Sequence, residues 1–129
     1  MAKRVVWARK PAREDFNAAQ CYLSLICAPT RARRLVARLR RAEAMHHAAK
    51  DLLRASGLPL LPHDEKHVAA DLKRIRKGKA LSPVLLVQGD MKGGAPLTVA
   101  DGYHRICASC YIDENALIAC RIVAGGDGN

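Results

Sequence analysis

The chain has 129 residues and a formal net charge of +10; half of its residues are apolar and only 4% are aromatic. This length suits one domain whose core relies on Leu, Ile, Val and Ala, and no stretch approaches the ~20 apolar residues that a membrane span requires. The start has no secretory signal and the cysteine count is odd, so we expect a cytoplasmic protein with reduced thiols and no membrane partner.

The positive charge is concentrated in the first half of the chain. Residues 1–57 hold thirteen Lys and Arg against four acids, a net charge of +9, whereas residues 58–129 hold nine against eight. A strongly basic segment attracts polyanions at long range. We therefore divide the chain into a basic helical hairpin at 1–57, a second unit at 58–123 and a disordered tail at 124–129.

Two helices are predicted in the basic half, after a loosely ordered arm at residues 1–10. Apolar residues at helical spacing predict the first helix over 11–27. Thr30 as the N-cap and Gly57 as a stop signal predict one long helix over 30–56. The two helices would form a hairpin.

Helices and strands are mixed in the second half. The pattern predicts a helix at 63–77, strands at 84–88, 97–100 and 117–123, and a helix at 103–112. The glycine-rich stretch between the first two strands is typical of a hairpin loop. This order predicts the α+β class, with an N-terminal helical hairpin followed by a small domain that contains a mixed β-sheet.

The strand-to-helix corner at residues 101–105, sequence DGYHR, carries the chemistry. A helix N-terminus presents unpaired amides and a partial positive charge, and it binds anions. Gly102 permits a tight turn and close approach of a ligand. His104 can donate to an anion or act as acid or base near neutral pH, and Arg105 offers a planar fork for phosphate oxygens.

We therefore predict a phosphate site at this corner. Asp101 could cap the helix, orient the histidine or ligate a metal ion beside a phosphate. Lys79 and Ser82 precede the first main strand. They are predicted secondary contacts to the phosphate because strand ends in small α+β folds of this kind cluster near the site.

Residues 58–123 resemble the ParB/sulfiredoxin-like domain, also called the ParB-like nuclease domain. Four segments match it in order: LPLLP, DLKRIRKGKALSPVLLV, GGAPLTVADGYHRICA with the GxHRxxA corner, and the closing strand ALIACRIV. The resemblance implies that the corner grips phosphate groups through Gly102, His104 and Arg105, and Tyr103 between them is included in the predicted site. The implied ligand is a nucleic-acid backbone or a nucleotide, such as a nucleoside triphosphate with Mg²⁺.

The chain also departs from this family. Tyr103 stands where sulfiredoxins have their reactive cysteine, so sulfinic-acid reduction is not expected. The ENxxR motif and the helix-turn-helix of chromosome-partitioning proteins are missing, so CTP hydrolysis is not expected either. If the domain is an enzyme, the resemblance and the corner favour a nuclease or nucleotide hydrolase, with His104 as acid or base.

Six arginines occupy residues 31–41 with no acid among them. A stripe along the predicted helix is formed by Arg31, Arg34, Arg38 and Arg41. Such a stripe favours nucleic acid as a partner, in a sequence-tolerant and salt-dependent way. The alternative is a non-catalytic interaction module in which the hairpin forms a homodimer or contacts a partner.

A third interpretation is a zinc-stabilised domain. Cys107 and Cys110 form one CxxC pair, and His63 and His67 are spaced to share a helix face. Together they could form a Cys2His2 set. A single CxxC pair is a weak signal, and the favoured reading has no metal site.

Overall fold

A four-stranded sheet organises residues 4–126, which are the residues that the computed structural model describes. Its strands are β1 (Met45–Ala48), β2 (Val84–Gln88), β3 (Thr98–Asp101) and β4 (Leu117–Ala124). They lie in the order β1-β4-β2-β3. The central pair β2 and β4 is parallel, and the other two pairs are antiparallel. The predicted α+β class with a mixed sheet is confirmed.

Helices cover both faces of this sheet. They are α1 (Arg13–Ile26), α2 (Pro29–Arg41), α3 (Ala49–Ser56), α4 (Lys66–Arg76) and α5 (Tyr103–Ile112). Successive residues of a strand point to opposite faces, so Leu85 and Val87 pack under α1 and α2, whereas Val84 and Leu86 pack under the other three helices. Coverage of both faces explains why β2 is a continuous apolar run.

The prediction of one long helix over 30–56 is wrong. Helix α2 ends at Arg41, and Met45–Ala48 form an edge strand before the chain turns into α3. The apolar spacing of a helix does continue through this stretch. However, one side of β4 offers free backbone groups, and β1 pairs with them from Met45 opposite Cys120 to Ala48 opposite Leu117. Tertiary pairing therefore overrides the local pattern.

The division predicted at residue 57 does not separate two cores. The helical hairpin spans only residues 13–41, and β1 belongs to the same sheet as the strands of the second half. Of the predicted tail, Ala124 ends β4 and the amide of Gly125 donates to the carbonyl of Gln88 at 3.1 Å. Residues 127–129 lie outside the described residues.

The segment before α1 is docked, where a loosely ordered arm was expected. Leu81 donates to the carbonyl of Val6 and accepts from the amide of Ala8, each at 2.8 Å. The indole of Trp7 donates to the carbonyl of Leu117 at 3.1 Å. These bonds fix the approach to α1. Residues 1–3 of the predicted arm lie outside the described residues.

Candidate functional site

The backbone of the corner at residues 101–105 is as the sequence predicts. Strand β3 ends at Asp101, Gly102 has φ +111°, and α5 begins at Tyr103. A side chain on residue 102 would place its Cβ 2.8 Å from the Cβ of Val84 and closer still to Cγ1. Only glycine suits this conformation and this space. Gly102 occupies the N-cap position and offers no side chain to the first amides of α5.

Arg105 faces inward from the corner. Its Nη2 lies 2.6 Å from Oδ2 of Asp101, and its Nη1 lies 3.0 Å from Oδ2 of Asp15. Nη1 also donates to the carbonyl of Ser82. The Arg105 side chain is only 13% exposed. A guanidinium bonded to two carboxylates has its charge compensated, so this arrangement gives Arg105 a structural role and does not support its predicted role as a phosphate ligand.

Ser82 and Asp15 complete this polar network, which ties α1 to the corner. The hydroxyl of Ser82 donates to the carboxylate of Asp15 and accepts from the amide of Ala12 at 2.9 Å. Ser82 thus lies near the corner as predicted, but its bonding groups are engaged. Lys79 is exposed in the turn after α4, where its amide donates to the carbonyl of Arg74.

Two carboxyl groups near the corner have raised pKa values. Burial raises the pKa of Asp101 to about 6, the nearby charge of Asp15 adds to the rise, and the attraction of Arg105 offsets only part of it. Burial also raises the pKa of Asp71 on α4, and the charges of Arg105 and His104 oppose that rise. Burial at the corner therefore favours the protonated form of both carboxyl groups.

The accessible side of the corner presents the imidazole of His104, and His67 of α4 lies beside it. The side chain of His104 is 41% exposed, and its ring lies 4.8 Å from the ring of His67, centroid to centroid. Its Nε2 is 3.9 Å from Oε1 of Glu65, and that oxygen accepts hydrogen bonds from the amides of His67 and Val68 at the start of α4. Chiefly through the Val68 amide, these bonds lower the pKa of Glu65. The N-termini of α4 and α5 thus meet at these histidines.

Tyr103, the remaining predicted residue of the corner, is directed elsewhere. Its hydroxyl donates to the carbonyl of Pro59. The tyrosine therefore holds the extended 58–62 segment against α5. Sequence reasoning missed the pairing of His67 with His104, because the two residues lie on different helices and nothing local links them.

The zinc interpretation is not supported. His67 lies against His104, whereas His63 packs edge-on against Tyr111 with ring centroids 5.9 Å apart. Cys107 is fully buried in the core, and burial raises the pKa of both Cys107 and Cys110, which keeps them as thiols. Within residues 4–126, no three His, Cys, Asp or Glu side chains form a group that could hold a metal ion.

Helix α2 presents a row of exposed arginines. We call the side chains of Arg33, Arg34, Arg38 and Arg41 the arginine face; all four are exposed. Arg38 donates to the carbonyl of Ala124 at 2.9 Å, and the predicted Arg31 is half-buried and donates to the carbonyl of Gly125. Each ion pair that joins residues 4–126 involves His104 or Arg105. Arg33, Arg34 and Arg41 therefore have no carboxylate partner in this range.

The apolar side of the hairpin is already used within the chain. Ala32, Leu35 and Leu39 are buried against the sheet together with Phe16 and Leu23 of α1. Dimerisation through this stripe would require it to leave its own core. The structure therefore gives no support to the dimer alternative in that form.

No protein-family model, curated protein or solved structure matches the chain. The structure shows an α+β domain with a basic helix on one face of its sheet. The resemblance to the ParB/sulfiredoxin-like domain stays a prediction. Among the helices of residues 4–126, none has the length and apolar character needed to cross a membrane.

Proposed function

We propose that this domain binds nucleic acid along its sugar–phosphate backbone, with the arginine face as the contact surface. The observation that carries the proposal is the set of exposed arginines on α2 that have no carboxylate partner within residues 4–126. Like charges on one helix surface repel one another. Phosphate groups would relieve this repulsion and release their condensed counterions.

The charged side chains of α2 are all arginines, which bind phosphate oxygens and can also contact guanine. The helix reads PTRARRLVARLRR and contains no Asn or Gln, the side chains that read adenine edges. Its apolar side is held against the sheet, so α2 can meet a nucleic acid only through its exposed, arginine-rich side. We therefore expect binding that tolerates many sequences and weakens steeply with salt.

Removal of two arginines from this face should weaken binding to a short labelled DNA duplex. The variant Arg34→Gln/Arg41→Gln loses two phosphate contacts, so the slope of log affinity against log salt should fall by about 2. At about 50 mM salt this corresponds to a loss of affinity on the order of tenfold or more. Fluorescence anisotropy at several salt concentrations measures both quantities.

The matched control is Lys73→Gln/Arg76→Gln. It removes the same charge from exposed positions on α4, which packs on the opposite face of the sheet. This control should keep most of the affinity. Equal losses in the two variants would show that only net charge matters, and the assignment to the arginine face would then be wrong.

The accessible part of the corner supports a second candidate function, the binding of a nucleotide phosphate. The observation in its favour is that the first amides of α5 lie beside the exposed His104 and its neighbour His67. In this arrangement the amides and the two imidazoles would hold the phosphate. The ion pairs of Arg105 would hold the conformation of the corner.

Thermal unfolding in the presence of ATP, CTP, GTP or inorganic phosphate tests this second function. A ligand at 100 times its Kd stabilises the native state by about 2.7 kcal/mol, which raises the Tm by several degrees. The variant His67→Gln/His104→Gln should lose that rise, while Arg34→Gln/Arg41→Gln should keep it. If none of the four compounds raises the Tm of the unaltered protein, the corner does not bind nucleotides.

A further inference from the structure

A cavity of about 230 Å³ opens at the C-terminal end of α2. It lies where the docked segment before α1, the end of α2 and strand β4 meet. Its lining is formed by Lys10, Pro11, Phe16, Arg40 and Arg121. Three of these five side chains are cationic and none is acidic.

Two of the cations are held in place by their own contacts. The guanidinium of Arg40 stacks on the ring of Phe16, with its Cζ 4.6 Å from the ring centroid. Nη1 of Arg121 donates to the carbonyls of Leu39 and Arg40 at 3.2 and 2.8 Å. Arg121 therefore lies across the last turn of α2. Side chains fixed in this way lose less rotamer freedom when they bind a ligand.

The electrostatics of the cavity favour an anion. The carbonyls at the end of a helix carry partial negative charge, and here two of them are already compensated by Arg121. Within residues 4–126, no ion pair joins Lys10, Arg40 or Arg121 to a carboxylate. Three converging cations repel one another, and a ligand with several charged oxygens would relieve this repulsion.

We propose that the cavity between Lys10, Arg40 and Arg121 binds a phosphate group. Planar guanidinium groups match phosphate oxygens, and the lysine adds a point charge. The phosphate group can belong to a nucleic-acid backbone, since Arg40 adjoins Arg41 of the arginine face. This source rests on the proposed function. The phosphate group can also come from a small phosphate compound.

Titration with inorganic phosphate at constant ionic strength, followed by NMR of the backbone amides and arginine side chains, tests the site itself. Signals of Arg40 and Arg121 should shift in the unaltered protein. Lys10→Gln and Arg40→Gln should each weaken binding about tenfold, as expected for the loss of one charge-assisted hydrogen bond. Lys73→Gln, which removes the same charge from an exposed position on α4, should bind phosphate as the unaltered protein does.

Two outcomes of this titration would overturn the proposal. One is that the unaltered protein does not bind phosphate. The other is that Lys10→Gln and Arg40→Gln bind phosphate as tightly as the control variant does. Lys10 is exposed, so Lys10→Gln should fold normally and carries the test if Arg40→Gln is destabilised by the loss of its stacking on Phe16. Far-UV circular dichroism and the Tm of each variant check the fold.

A second titration, with the DNA duplex, distinguishes the two sources of phosphate. If the source is a nucleic acid, Lys10→Gln should lower the salt slope of DNA binding by about 1. If the unaltered protein binds phosphate in a Lys10-dependent way but binds no DNA, the proposed function fails and the site stands as one for a small phosphate compound. If DNA binds but phosphate does not, the proposed function stands and the site is rejected.

Discussion

Replacing Arg105 with methionine is expected to lower the free energy of unfolding by about 3 kcal/mol near pH 8. The change leaves the carboxylates of Asp101 and Asp15, which are 20% and 17% exposed, without their shared cation. The carbonyl of Ser82 also loses a donor. Breaking a largely buried ion pair by removing one partner leaves an uncompensated charge, and this is the main source of the loss. Urea unfolding measures it.

The loss should shrink as the pH falls to about 5. In the native protein the pKa of Asp101 is about 6, above its ordinary 3.8. A raised carboxyl pKa gives a contribution to stability that is fully present below the unfolded pKa and is lost as the pH rises through the folded value. Without Arg105 this pKa rises further, so at pH 5 the variant protonates Asp101 and carries less uncompensated charge.

Arg54→Met is the matched control for this measurement. Arg54 is an exposed arginine near the end of α3, and its replacement should change the stability by less than about 0.5 kcal/mol. An Arg105→Met protein that unfolds like the unaltered one but loses a nucleotide response would contradict our interpretation. It would return Arg105 to the phosphate site predicted from the sequence.

Replacing Gly102 with alanine should lower the free energy of unfolding by at least as much, about 3 kcal/mol or more. The backbone at this position has φ +111°, a conformation that L-residues rarely adopt. The added methyl would also press on Val84, which is fully buried in strand β2. The chain must either strain the turn or displace a core residue. Urea unfolding at neutral pH measures the loss.

Gly57→Ala separates these two causes. Gly57 has φ +68°, and a Cβ there would have no atom within 4 Å. Its replacement should therefore lower the free energy of unfolding only by the cost of backbone strain, about 1 kcal/mol. Equal losses at Gly57 and Gly102 would mean that the corner relaxes around the methyl group and that the close contact with Val84 has no energetic consequence.

Local signals were sufficient for much of the fold. The apolar run at 84–88 and the helix at 103–112 have the bounds that the sequence predicts, because each depends on neighbouring residues only. The same is true of the backbone at Gly102, where a glycine between a strand and a helix is itself the signal. The order of these elements was enough to predict the α+β class.

Contacts between distant segments were beyond the reach of the sequence. Strand β1 exists because β4, about seventy residues later, has a free side, and the local pattern of β1 resembles a helix. Asp15 reads as an acid that favours the start of α1, yet its carboxylate meets Arg105 ninety residues away. The cavity of Lys10, Arg40 and Arg121 joins three separate segments for the same reason.

The outer strands of the sheet have a consequence for behaviour at high concentration. β1 and β3, the two edges, have four residues each. Each leads at once or after a single residue into a helix, so neither strand can extend at its C-terminal end. Short outer strands offer few free backbone groups to a neighbouring molecule and so discourage aggregation through strand pairing. The short length of both edge strands thus helps to keep separate molecules apart.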